Sequence, residues 1–268
     1  MSNPDRLPLA KKRFGQNFLI DDGVIQSILH SVDARSGQTI VEIGPGLGAL
    51  TLPLLVSGAQ VTAIEIDRDL VASLRSRFAD KTGLNLLEAD ALTFDFAALA
   101  AQRGPLRVIG NLPYNISTPL LLRLLAHAGV IRDMHFMVQK EVALRLAAAP
   151  DCADFGRLSL AAQAMCRVDL LFDVAPESFR PAPAVWSSIV RLEPLPTLPG
   201  KSVLAALEEI GRIAFMHRRK MIRHTLGPLF TAAELDALGL SLTMRAENIP
   251  VDAFLALARL HADRRPPR

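Results

Sequence analysis

The chain has 268 residues, half of them apolar and 21 % charged, enough to bury a large core and too apolar for disorder throughout. No apolar run reaches the roughly 18–20 residues of a membrane span, the opening segment lacks the apolar stretch of a signal peptide, and two cysteines, Cys152 and Cys166, are too few for a disulfide scaffold or zinc cluster, so a reduced, cytoplasmic protein is expected. The net charge of +3 is unevenly spread: Lys11-Lys12-Arg13 and the run Arg212–His224, with His217, Arg218, Arg219, Lys220 and Arg223, form basic clusters suited to a polyanion, or else to a solvated helix face.

Val24, Ile25, Ile28, Leu29 and Val32 have helical spacing behind a polar Asp21-Asp22-Gly23 start. Thr39–Ile43, Val61–Glu65, Leu84–Glu88 and Leu106–Gly110 read as short apolar strands, with helical stretches such as Asp69–Phe78 between them. Thr118-Pro119 opens an apolar helix over Leu120–His127, closed by Gly129, and Met134–Gln139 follows as a fifth strand. Strands alternating with helices predict a parallel sheet covered on both faces. Trp186–Leu192 reads as a later strand at or near a sheet edge, because serines and an arginine interrupt its apolar positions. Glu193–Gly200, with three prolines, reads as a linker. Beyond it, the stripe Val203, Leu204, Leu207, Ile210, Ile213, Ala214 and later Leu235, Leu238, Leu240 and Phe254, Leu257, Leu260 predict a small helical domain. The expected organisation is an α/β domain over 1–195 and a helical domain over 196–268. Only the tail Arg264–Arg268 is expected to be disordered.

The loop Gly44-Pro45-Gly46-Leu47-Gly48 follows the first strand and precedes a helix. Glycines there permit a tight turn and close approach of backbone to a ligand. Glu65 ends the second strand, where a Rossmann-like fold places an acid on ribose hydroxyls, and Asp90 follows the third. S-adenosylmethionine, a nicotinamide or flavin dinucleotide, and a purely structural turn all remain compatible with the loop alone. Glu42 sits just before the turn and serves either a ligand or the loop amides.

Asn111-Leu112-Pro113-Tyr114, directly after the fourth strand, narrows the choice. An exocyclic adenine amine is a poor nucleophile because its lone pair is delocalised into the ring. A site that accepts both N–H hydrogens, through an amide oxygen and a backbone carbonyl, favours a tetrahedral nitrogen. Asn111 offers the amide oxygen, Leu112 or Pro113 a carbonyl on a backbone that proline stiffens, and Tyr114, the sole tyrosine, a face for the base. The plain alternative is an Asn-x-Pro turn with Tyr114 packed beneath it. A nicotinamide oxidoreductase leaves this segment unexplained. A non-catalytic protein that binds RNA and uses the fold only as a platform remains compatible with it.

With these residues the chain resembles the bacterial small-subunit ribosomal RNA adenine dimethyltransferases, whose loss gives kasugamycin resistance. The matching pieces run from Lys12-Arg13-Phe14-Gly15-Gln16-Asn17-Phe18-Leu19 through Val41–Gly46, Glu65-Ile66-Asp67, Gly110–Ser117 and Met137–Glu141 to Phe179-Arg180-Pro181-Ala182-Pro183 and Ala214-Phe215 with Arg218-Arg219-Lys220. The resemblance implies a Rossmann-like S-adenosylmethionine-dependent domain with a final antiparallel strand; no metal is expected, because the six histidines show no ligand spacing with cysteine or carboxylate. It implies cofactor contacts at Asn17, Leu19, Gly44, Glu65, Asp90 and Asn111. Catalysis would fall to Asn111, Leu112, Pro113 and Tyr114. Phe179, as a second stacking face or else as core, and the basic residues Arg218, Arg219, Lys220 and Arg223 would meet the RNA. The implied substrate is a pair of adjacent adenosines in the 3′-terminal hairpin of 16S rRNA. The partner would be the small-subunit precursor, and the enzyme a monomer.

Overall fold

The computed structural model describes residues 10–11 and 14–264. Lys12 and Arg13 of the first basic cluster, and 265–268 of the tail, lie outside the described residues. The chain divides into two compact units, Met1–Ala143 with Asp169–Glu193, and Leu144–Val168 with Pro194–Arg268. The split expected after residue 195 is therefore changed: the segment 144–168 groups with the helical part.

In chain order the first unit holds β1 (Phe18–Leu19), α1 (Asp22–Val32), β2 (Thr39–Ile43), α2 (Thr51–Val56), β3 (Gln60–Glu65), α3 (Arg68–Arg77), β4 (Leu84–Glu88), α4 (Phe96–Arg103), β5 (Leu106–Asn111), α5 (Ser117–Ala126), β6 (Ile131–Gln139) and the start of α6 (Lys140–Ala147). After α7 (Arg157–Gln163) in the second unit, it resumes with β7 (Cys166–Val174), β8 (Phe179–Arg180) and β9 (Ser187–Pro194). A seven-stranded sheet runs in the order β4-β3-β2-β5-β6-β9-β7. The β2–β3, β3–β4, β2–β5 and β5–β6 pairs are parallel, and β9 runs antiparallel to β6.

The chain starts at β2, moves outward through β3 to β4, and returns to lay β5 on the other side of β2. That reversal opens a crevice at the carboxyl ends of β2 and β5, the place where open α/β sheets bind ligands. β2 and β5 are almost wholly buried, which is why both are rich in Ile, Val and Leu, with Glu42 and Arg107 as buried charged exceptions. Three helices begin on aspartates that accept from their first-turn amides: Asp21 from Val24, Asp67 from Asp69 and Asp95 from Ala98.

β9 lies between β6 and β7, one strand in from the edge, so it is near an edge as expected but does not form it. Its buried serines are partnered, Ser187 with the Tyr114 hydroxyl at 2.6 Å and Ser188 with Asp173 at 2.6 Å, so their polarity does not signal solvent. The edge on that side is β7, a half-exposed strand whose Leu170-Leu171-Phe172 run blurs the alternation that would have announced it.

The second unit contains α7, α8 (Lys201–Phe215), α9 (Ile222–Thr225), α10 (Ala232–Ala237) and α11 (Val251–Asp263). Leu207, Ile210 and Ala214 of the expected stripe are buried in one cluster with Phe254 and Leu257, while Leu260 is exposed. Phe155 and Leu160 belong to the same cluster, which explains why 144–168 joins this unit. Arg264, expected in a disordered tail, donates to the Leu229 carbonyl and pairs with Glu234.

Candidate active site

A cavity of about 270 Å³ lies in the first unit at the crevice between β2 and β5. Its walls come from three separate stretches: the glycine loop after β2, the Asn111–Ile116 turn after β5, and the segment Phe14–Leu19 that ends in β1. Glu65 and Asp90 complete it from the ends of β3 and β4. Of the residues singled out from sequence, Asn17, Leu19, Gly44, Glu65, Asp90, Asn111, Leu112, Pro113 and Tyr114 all line this one cavity.

The glycine loop is shaped by backbone need. Gly44 and Gly46 hold φ of +65° and +58°, the left-handed region that side chains resist. A further constraint lies at Gly110, where a Cβ would stand 2.5 Å from the Ile43 carbonyl oxygen. β5 and the end of β2 approach closely only because that position has no side chain. The loop is then fixed from β3: the Gly44 amide donates to the Ile64 carbonyl at 2.9 Å and the Gly46 amide to Glu65 Oε2 at 3.3 Å. Glu65 Oε1 accepts from the Asp67 amide at 2.9 Å.

Glu65 is buried, and burial raises its pKa against the stabilising amides of Asp67 and Gly46. Glu42 is buried deeper. Burial pushes its carboxyl up to about 7, opposed by the Thr51 hydroxyl, which donates to it at 2.6 Å, and reinforced by Glu65. Asp90 is half-buried, with Oδ1 accepting from the Leu92 amide at 2.8 Å.

Asn111 is held from the opposite wall. Its Nδ2 donates to the Asn17 main-chain carbonyl at 2.8 Å. The amide nitrogen must face that carbonyl, since two oxygens would repel, so Oδ1 points away, without a hydrogen-bond partner among the described residues. Tyr114 is half-buried, its hydroxyl fixed to Ser187 of β9. Burial raises the pKa of the phenol, so it is neutral and serves as a ring with a tethered tip.

The model of the ribosomal RNA adenine dimethylase family matches residues 8–263. The chain belongs to this family. Among its dimethylase relatives is ribosomal RNA small subunit methyltransferase A of Pseudomonas fluorescens, 52 % identical over 259 residues that make up 96 % of each chain. The Pseudomonas aeruginosa protein of that name is 51 % identical over 95 % of each. Solved structures with the same fold include a dimethyladenosine transferase from Plasmodium falciparum (TM-score 0.76, 25 % identity, 90 % of this chain and 95 % of that one). Another is the 23S rRNA methyltransferase ErmE (TM-score 0.74, 25 % identity, 92 % and 100 %).

In this dimethylase, the residues expected to meet RNA divide. Phe179 does not line the cavity. It pairs with Leu19 across β1 and β8, is 3 % exposed, and packs with Ile25 and Ile28, so the expected stacking face is core in this structure. Arg218, Arg219, Lys220 and Arg223 belong to the second unit, whereas the cavity-lining residues belong to the first. Arg218 donates to the carbonyls of Ala153 and Phe155 at 2.6 and 2.8 Å and pairs with Glu247 at 3.6 Å, all within its own unit. Arg223 is exposed and turns its Nε to His224. Arg219 and Lys220 are exposed, with no ion pair among the described residues. Sequence reading missed Ser187, Thr51 and Gly110. The first two act on partners 73 and 9 residues away, and the third acts through a close backbone approach.

Proposed function

We propose that this dimethylase transfers methyl groups from S-adenosylmethionine to N6 of two adjacent adenosines in the 3′-terminal hairpin of small-subunit rRNA. The observation that carries the reading is the tethered Asn111 amide, whose oxygen sits between a glycine-loop cofactor crevice and an aromatic platform. The cavity suits the cofactor. Glu65, steadied by two amides, keeps carboxylate lone pairs for vicinal ribose hydroxyls, and Asp90 keeps one oxygen free of the Leu92 amide. Gly44 lets backbone come within contact of the ligand, and Asn17 and Leu19 close the far wall. When bound, S-adenosylmethionine supplies an electrophilic methyl group.

Tyr114 stacks the adenine ring, so that N6 is presented edge-on to Asn111. Asn111 Oδ1 accepts one N6–H, and the carbonyl of Leu112 or Pro113 accepts the other. Both bonds draw the lone pair out of conjugation and aim it along the line of displacement. No general base is required. Once N6 has formed its new bond it carries a positive charge, and one of its protons, of two after the first transfer, is acidic and leaves to water. The second transfer starts from a monomethylated nitrogen with one N–H, so only one of the two acceptors is then engaged.

The exposed Arg219, Lys220 and Arg223 are suited to RNA phosphates. The partner is the small-subunit precursor, the enzyme acts as a monomer in the cytoplasm, and no helix of the described residues is long and apolar enough to cross a membrane. The test is transfer of labelled methyl groups to undermethylated small subunits, with the product nucleoside identified by mass spectrometry. N6,N6-dimethyladenosine is expected, with Asn111→Ala reducing turnover about 10²–10³-fold and leaving RNA affinity unchanged. A different modified nucleoside, or full turnover in Asn111→Ala, would overturn the reading.

A further inference from the structure

The segment that walls the cavity opposite the glycine loop has little sheet to hold it, since β1 is two residues long. What fixes it upstream is one buried carboxylate. Asp67 is 2 % exposed. Its Oδ2 accepts from Gln16 Nε2 at 2.9 Å, and its Oδ1 accepts from Lys11 Nζ at 2.5 Å and from the Asp69 amide at 3.1 Å. Gln16 is gripped from its other end as well, for its Oε1 accepts from the Lys11 amide at 2.8 Å. The planar side chain of Gln16 therefore has both donor and acceptor committed, which sets the backbone direction of the next residue.

That next residue is Asn17, whose carbonyl oxygen holds the Asn111 amide. On its other side, the main-chain amide of Asp67 donates to Glu65 Oε1. Asp67 thus reaches both halves of the site: the ribose-binding acid through its own amide, and the Asn111 amide through Gln16 and Asn17. We propose that Gln16 and Asp67 are positioning residues for methyl transfer. Their hydrogen bond straps the Phe14–Leu19 wall so that the Asn17 carbonyl orients Asn111 Oδ1 toward the acceptor nitrogen. This rests on the adenine N6 reading of the site.

The donor and acceptor of this bond can be exchanged. In the double variant Gln16→Glu/Asp67→Asn, the new amide at 67 donates to the new carboxylate at 16. Position 16 still accepts from the Lys11 amide, and position 67 still accepts from the Asp69 amide. Gln16→Glu alone sets two carboxylates against each other. Asp67→Asn alone has one oxygen for two groups of donors: its NH2 must face either the Gln16 NH2 or the Asp69 amide and Lys11.

The experiment measures kcat and KM for undermethylated small subunits, together with calorimetric affinity for S-adenosylhomocysteine, in the wild type, both single variants and the double variant. Gln16→Glu should lower kcat at least tenfold with KM for the subunit unchanged, and weaken S-adenosylhomocysteine because the wall is displaced. The double variant should recover kcat and affinity to within about threefold of wild type. A double variant no better than Gln16→Glu, or a Gln16→Glu protein with wild-type kcat, overturns the proposal. If wild-type enzyme gave no N6-methyladenosine at all, the reading of the function would fail. The strap would still be judged by whether the exchange restores S-adenosylhomocysteine affinity.

Discussion

Glu42→Gln isolates the buried carboxyl beside the cofactor crevice. In the folded protein Glu42 titrates at about 7, against an ordinary value of 4.5, because it is fully buried with Glu65 for a neighbour. A raised folded-state pKa means that the native state holds the proton more tightly than the unfolded chain. The resulting stabilisation is complete below pH 4.5 and is lost as pH rises through 7. That difference corresponds to about 3 kcal/mol between the two limits. Glutamine keeps an oxygen for the Thr51 hydroxyl and cannot ionise, so the variant lacks this loss. His135 works in the opposite direction. Burial lowers its pKa to about 4, opposed by Asp133, so its contribution is present above 6.5 and is lost as pH falls toward 4. The two effects overlap in one window and blur the wild-type profile. Subtracting wild type from variant cancels His135 and leaves Glu42. The assay is urea unfolding of cofactor-free protein at intervals from about pH 4.5 to 8, reading the unfolding free energy of each protein. The variant should gain on wild type steadily as pH rises, by about 3 kcal/mol at most. A difference that stays constant across the range would refute the burial-driven titration of Glu42.

Tyr114→Ala should weaken capture of the target base by about 1–3 kcal/mol, read as a rise in KM. Tyr114→Phe keeps the ring but leaves the buried Ser187 hydroxyl unpartnered, so it should lose about 1–3 kcal/mol of stability. Adding Ser187→Ala should recover most of that loss, and if it does not, the hydrogen bond carries no weight. Gly110→Ala drives a Cβ to 2.5 Å from the Ile43 carbonyl and should cost at least about 1–3 kcal/mol; an unchanged melting temperature would show that the strand approach is not tight. Arg219→Ala with Lys220→Ala should flatten the slope of log RNA affinity against log salt, by roughly 0.7–0.9 for each phosphate no longer neutralised, whereas Arg218→Ala should act on thermal stability instead. Equal salt slopes in wild type and double variant would make those charges a solvated face.

The sheet and most of the cavity were legible because they rest on local pattern. β2 and β5 are rich in Ile, Val and Leu, the glycine loop and the Asn111–Tyr114 turn each occupy consecutive positions, and Asp21 caps the helix whose polar start was read. What local pattern misled was the interpretation of polarity. Ser187 and Ser188 looked like a solvent edge because their partners, Tyr114 and Asp173, stand 73 and 15 residues away. Arg218 looked like its neighbours in a basic run, yet it spends its donors on carbonyls 65 and 63 residues back. The unit boundary failed for a similar reason, since Phe155 and Leu160 announce burial but not which core receives them. Asn17 and Leu19 were reached through the family resemblance alone. Nothing in Phe14–Leu19 itself states that its carbonyl orients a side chain 94 residues later.

The pairing of β1 with β8 sets an order on the ribosome. The glycine loop, Glu65, Asp90 and the Asn111–Tyr114 turn have all been made once Tyr114 leaves the exit tunnel. The wall strand β1 must then wait for Phe179 and Arg180, its partners in the small sheet, and the Tyr114 ring must wait for Ser187. A nascent chain therefore carries a wall held by the Asp67–Gln16 bond but not yet by β8, and an untethered platform, while about seventy further residues are synthesised. Both of these fastenings come late and nearly together, as the short stretch 179–187 emerges. A prematurely terminated product ending before that stretch retains every residue that lines the cavity, with the Asp67–Gln16 and Asn17–Asn111 bonds, and lacks the two further fastenings, to β8 and to Ser187.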